Sequence, residues 1–233
     1  MGTLYIVSTP IGNLEDITIR ALHTLFSVDA IACEDTRVTG NLWELLKNKY
    51  NDLISVTHKP ILIPYHNNNE QTITPELIQL LKQGKNIALV SDAGTPLVSD
   101  PGYRIVTEVQ KQNIPIIVVP GVSAFLTALT GSGLQTNTWT FLGYLPEKQS
   151  RRITKLRDMK KSSVMLSSTY ICYVAPHKFI QTMKDIHQSL GDIPCVIGRE
   201  LTKIHEEYWK GTPQEAFGHF SHPKGEFVLL FTL

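Results

Sequence analysis

Residues Ser91-Asp92-Ala93-Gly94-Thr95-Pro96 follow an apolar run at residues 86–90, and this junction decides the fold. Ala93 to Pro96 are small or turn-forming residues at the end of what reads as a buried strand, where core packing has no use for them. They let the backbone bend sharply and approach a ligand closely, while Asp92 adds a fixed acceptor. In open α/β sheets, ligands collect in the crevice beyond the carboxyl ends of the strands. Three more junctions repeat the pattern: Ser8-Thr9-Pro10-Ile11-Gly12-Asn13, Glu34-Asp35-Thr36-Arg37 and Pro120-Gly121-Val122-Ser123-Ala124. Each follows an apolar strand, and the four loops together describe one cleft. For the first junction alone, a tight structural turn is the alternative.

Working outward, strand and helix alternate through the first half. Residues 4–8, 29–33, 61–63, 86–90 and 116–119 read as strands. Residues 15–26, 38–46, 75–83, 101–112 and 122–130 read as helices, from apolar spacing and terminal residues such as Asn13, Pro75 and Gly84. A parallel sheet follows from that alternation. Residues 131–138 have no apolar periodicity and read as a linker, giving domains 1–133 and 134–233. The second half changes order. Strands are expected at 139–142, 193–198, 203–210 and 226–231, helices at 151–159, 176–189 and 213–219, and apolar stretches at 163–166 and 171–174. Short connections late in the chain suggest antiparallel or mixed pairing.

Composition narrows the function. The 233 residues are 42% hydrophobic and 18% charged, as in globular rather than disordered proteins. A net charge of +1 supplies no global field for nucleic acid, so any such contact needs a local patch. One exists. Seven of the 22 Lys and Arg fall within residues 148–161, with Asp158 the only acid there. On a helix, Arg151, Arg152 and Lys155 would share a face able to contact phosphates, or simply a solvated one. Nearby Tyr144 is placed to stack on a base. Cys33, Cys172 and Cys195 form no C-x-x-C pair and read as reduced thiols of a cytoplasmic protein. No run suggests a membrane span, DNA is not an expected partner, and His219 with His222 lacks a third ligand, so no metal is expected. Neither G-x-G-x-x-G after the first strand nor G-x-x-x-x-G-K-[ST] is present. A ligand is therefore held by neutral loops rather than by a phosphate cradle.

At this point the residues carry a resemblance. The segments Leu4 to Thr18, Cys33 to Arg37 with Thr39-Gly40, His66-Asn67 with Glu70, Ala88 to Pro96, Asp100 to Tyr103 and Pro120 to Ala124 match a family pattern in order and spacing. So do Phe141 to Pro146, Pro176 to Lys178, Arg199 to Glu207 and Lys224 to Phe227. The chain resembles the tetrapyrrole-methylase superfamily of S-adenosylmethionine-dependent methyltransferases. Within it, the chain is similar to the branch that methylates a cytidine 2′-hydroxyl in small-subunit ribosomal RNA. The resemblance implies two α/β domains with the cofactor cleft between them. The methyl donor would meet Pro10, Ile11, Asp92, Gly94, Thr95, Ser123, Ala124 and, from the second domain, Val174. The alternatives are helix capping for Ser123 and core packing for Val174.

The same resemblance implies 16S ribosomal RNA or the small subunit as partner, a cytidine in the decoding region as target, and a homodimer. Methyl transfer to a hydroxyl demands alignment and an acceptor for the proton. Glu34, Asp35 and Glu200 are the carboxylates considered, with Arg37, Arg199 or Lys203 positioning phosphate. Asp35, Arg37 and Glu200 form the expected catalytic set, although Glu34 to Arg37 also reads as a helix cap with an ion pair. Two departures stand out. Val174-Ala175 replaces a polar pair and Lys178 an arginine, and the chain ends at Leu233 where many relatives carry a small helical region. A corrinoid or tetrapyrrole methylase, or a weak S-adenosylmethionine-binding relative, are the competing readings.

Overall fold

The computed structural model describes residues 1–54, 56, 58–164 and 167–233. The chain divides into two compact units, Met1–Ser123 and Ala124–Leu233. The first carries five parallel strands: β1 (Leu4–Val7), β2 (Ala30–Cys33), β3 (Ile61–Pro64), β4 (Ile87–Val90) and β5 (Ile116–Val119). Their spatial order is β3-β2-β4-β1-β5. Parallel pairing needs helical crossovers that cover both faces. Accordingly β2 and β4 are buried along their whole length. One apolar cluster, including Leu22, Ile31 and Trp43, lies on one face, and another, including Leu4, Leu77 and Ile105, on the other.

The helices of this unit are α1 (Ile19–Leu25), α2 (Thr36–Lys49), α3 (Glu70–Lys82) and α4 (Tyr103–Lys111). The helix expected over residues 15–26 is broken in two. Asn13 caps a single 3-10 turn, Leu14–Asp16, through the Glu15 amide, and Thr18 then caps α1 through the Ala21 amide. The helix expected over residues 75–83 is longer: α3 starts at Glu70 and holds Pro75 inside. Proline there removes a hydrogen bond and crowds the preceding turn, at about 3 kcal/mol. Burial of Leu77, Ile78 and Leu81 offsets this. The Asn69 side chain builds the entry turn by accepting from the His66 amide (2.7 Å) and donating to Pro64 O (2.9 Å).

The second unit opens with α5 (Ala124–Ser132) and contains β6 (Trp139–Tyr144), α6 (Gln149–Ser163) and β7 (Thr169–Val174). It continues with α7 (Phe179–Leu190), β8 (Cys195–Arg199), β9 (Glu207–Gly211), α8 (Pro213–His219) and β10 (Phe227–Thr232). Its sheet runs β6-β7-β10-β8-β9. Among the described residues β6 pairs with β7 in parallel and the other pairs are antiparallel, so the pairing is mixed. The unit starts earlier than the expected boundary after residue 133, because α5 packs on β7, β8 and β10. Residues 203–206, expected at the start of a strand, form a turn closed by the Lys203 and Glu206 amides. The apolar stretch expected at 163–166 lies in part outside the described residues.

Candidate active site

The four loops singled out in the sequence follow β2, β4, β1 and β5, which are neighbours in that spatial order. Parallel register brings Val7 beside Val119 and Cys33 beside Val90, so all four loops leave one edge of the sheet. They are stitched together. Thr9 and Gly94 exchange both backbone hydrogen bonds, at 2.8 and 3.0 Å. Ser8 Oγ lies 3.0 Å from Thr95 Oγ1, which donates to Val122 O at 3.1 Å. The Asp35 amide donates to Asp92 Oδ1 at 3.0 Å.

Close approach explains two glycines. Gly94 has φ +82°, and a Cβ there would lie 3.3 Å from Ile11 Cγ2. A Cβ on Gly121 would meet the Ser8 Cβ at 2.8 Å. The segment after the glycine loop is strained, with Leu97 at φ +69° and Ser99 at φ +70°. Such conformations cost about 1–3 kcal/mol each and gather at functional sites.

The first unit therefore brings together Pro10, Ile11, Asp92, Gly94 and Thr95, with Ser123 at its end. Ala124 is the first residue of α5. Val174 sits in the apolar core of the second unit, where its side chain serves packing. Sequence reasoning passed over Ser8, Thr9 and Gly121 as individual residues. Their signal was present in the quoted loops: two hydroxyls and a glycine placed directly after apolar strands.

Electrostatics separates the carboxylates. Asp35 caps α2 through the Arg37 amide and pairs with Arg37 at 2.7 Å. Hydrogen bonds from the Arg37 side chain and then its amide hold Asp35 down to about 2. The pair's contribution to folding is thus complete above the ordinary aspartate value and disappears as pH falls through about 2. Arg37 presents an 89% exposed side chain to solvent.

Glu200 belongs to the second unit. It accepts from the Glu226 amide at 2.9 Å and from Lys203 Nζ at 3.1 Å. Burial would raise it, but those hydrogen bonds outweigh burial and hold it below the usual glutamate value. Both residues are committed to local structure and are poorly basic. Glu34 is the opposite case: burial first, then the Asp100 and Asp92 charges, push it up, against a smaller pull from His66. Asp100 is raised too, mainly by burial.

The basic face also divides. Arg152 is 3% exposed and pairs with Asp185, itself 1% exposed, while its guanidinium donates to Pro146 O and Glu147 O. It is core, not an RNA contact, because its charge is consumed inside the unit. Arg151 and Lys155 line a groove at the surface. His219 is engaged by Glu207 and stacks on Trp209.

The chain belongs to the tetrapyrrole (corrin/porphyrin) methylase family, whose pattern matches residues 3–216. Its relatives include proteins named ribosomal RNA small subunit methyltransferase I. That of Synechocystis is 43% identical over 236 residues, spanning 99% of this chain and 78% of the relative. That of Thermotoga maritima is 41% identical over 234 residues, spanning 100% and 99%. Similar folds include cobalt precorrin-4 methyltransferase, with a TM-score of 0.69 and 17% identity over 98% of this chain and 94% of that one. Another is the uroporphyrin-III C-methyl transferase of Thermus thermophilus complexed with S-adenyl homocysteine, with a TM-score of 0.65 and 16% identity over 99% and 97%.

Proposed function

We propose that this chain is an S-adenosylmethionine-dependent methyltransferase acting on small-subunit ribosomal RNA, at the 2′-hydroxyl of a cytidine in the decoding region. The observation that carries the reading is 41–43% identity, over 99–100% of this chain, to proteins named ribosomal RNA small subunit methyltransferase I; the 2′-hydroxyl of a cytidine is the finer part of the proposal. Four stitched loops at one sheet edge support it. The donor supplies a methyl group activated on a cationic sulfonium. The loops suit such a molecule: Pro10 and Ile11 give apolar contact, Gly94 lets the backbone approach closely, and Asp92 and Asp100 supply negative charge. Asp92 already has one oxygen committed to the Asp35 amide, which fixes its direction. Glu34 is the carboxylate suited to accept the hydroxyl proton, and Arg37 faces solvent on its outer side, where it can meet phosphate. A ribosomal RNA substrate is the reason to read the protein as cytoplasmic; separately, among the described residues no helix is long and apolar enough to cross a membrane. Two copies are expected to pair. The outer strand β5 supports this, since it leaves Ile117 and Val118 42% and 56% exposed on an uncharged edge.

Gly121→Val tests the donor loops. The added side chain overlaps Ser8 and breaks its contact with Thr95, a strain of about 1–3 kcal/mol. Calorimetry with S-adenosylmethionine is expected to show affinity lowered about tenfold or more, with the far-ultraviolet spectrum of a folded chain retained. Wild-type affinity in the variant would remove these loops from the donor site.

A further inference from the structure

The second unit has a groove of about 590 Å³ between α6 and the β6–β7 margin of its sheet. That size falls within the range of about 300–1,000 Å³ usual for small-ligand sites. Its floor is apolar and fixed by the core. Met159 and Tyr170 are buried, Leu142 packs against the same cluster, and Tyr170 stacks on Phe231 at 5.8 Å. Its rim is cationic, with Arg151 and Lys155 on α6, and Thr140 on β6 opens the other side.

Charge says what class of molecule fits. Of the seven cations in residues 148–161, only Arg152 is buried by a partner. Asp158 is the one acid among the described lining residues, and it reaches only toward Lys161 at 3.9 Å. The rim therefore carries excess positive charge above an apolar floor. A polyanion with planar apolar groups complements both at once, and single-stranded nucleic acid is recognised by that combination.

We propose that this groove seats a nucleotide of single-stranded RNA, its base against Leu142, Met159 and Tyr170 and its phosphate on Arg151 and Lys155. The inference rests on the RNA-methyltransferase reading and adds to it a docking point built from residues of the second unit. It also explains why one arginine of the basic helix is buried while its neighbours line a groove: the buried Arg152 anchors the helix that presents the others.

The test uses the full chain and three probes: a fluorescent single-stranded oligoribonucleotide of about ten nucleotides, inorganic polyphosphate and polyglutamate of similar charge. Thr140→Trp fills the groove without altering charge, and Arg151→Ala with Lys155→Ala removes the rim. Wild type is expected to bind the RNA more tightly than either charge-matched polymer. Thr140→Trp is expected to reduce RNA affinity about tenfold and leave polyphosphate binding unchanged. The double alanine variant is expected to weaken both and to flatten the log–log salt dependence by roughly 1.4, about 0.7 for each phosphate no longer neutralised. Melting curves check that each variant is folded.

RNA affinity untouched by Thr140→Trp overturns the proposal, as does polyglutamate competing as well as RNA. Either result alongside wild-type methyl transfer leaves the RNA-methyltransferase reading standing. No transfer to RNA by the wild type removes that reading as well.

Discussion

Glu34→Gln is expected to lower methyl transfer by about 10²–10⁴-fold while leaving S-adenosylmethionine affinity nearly unchanged. Three carboxylates compete for the role of proton acceptor, and their surroundings rank them. Asp35 is held down to about 2 by Arg37, and Glu200 is held low by the Glu226 amide and Lys203. A carboxylate so stabilised is a weak base. Glu34 is half-buried and raised by burial and by Asp100 and Asp92.

The sign of the pH dependence follows. The working form is ionised, so the wild-type rate should fall as pH drops through a midpoint above the ordinary glutamate value of about 4.3. That limb should vanish in Glu34→Gln. A rate and pH profile identical to wild type would take Glu34 out of the chemistry. Loss of donor affinity in step with rate would make it a binding group instead.

Asp185→Ala is expected to destabilise the second unit by about 3–5 kcal/mol, because the Arg152 charge would remain buried without its partner. For a chain of this size that corresponds to a melting temperature lower by about 10 °C. Asp185 also accepts from Gln149 and Gln181, at 2.8 and 2.9 Å, so its removal strands three donors. Replacing both partners, Arg152→Met with Asp185→Leu, should recover much of the loss, since apolar groups of similar volume do not need pairing. The double variant should then bind RNA like wild type. Weakened RNA binding in a well-folded double variant would return Arg152 to the RNA face.

The buried pair shows where sequence reading runs out. Arg151 and Arg152 are adjacent and chemically identical, yet helical geometry turns one outward and the other onto α7. Only the packing of Gln149–Ser163 against Phe179–Leu190 reveals which. The parallel sheet and its four loops were legible, because short apolar runs ending in Gly, Pro and Ser mark strand ends directly. The mixed pairing of the second sheet was legible from short connections, but its strand order was not.

Boundaries failed where a local signal was overridden. Pro75 reads as a helix start, yet three buried apolar residues beyond it and the Asn69 turn before it extend α3 through the proline. Residues 131–138 read as a linker, but the helix ahead of them belongs to the second sheet, which its sequence does not announce. The proposed ranking of Glu34, Asp35 and Glu200 needed the hydrogen bonds and burial of each, which the sequence does not display.

The most direct test is to incubate the purified chain with isotopically labelled S-adenosylmethionine and small ribosomal subunits from cells lacking this protein, then map the label by mass spectrometry. The account predicts one labelled 2′-O-methyl group on a cytidine of the decoding region. Label on a base, or none on the RNA while a tetrapyrrole offered in parallel is methylated, would contradict it.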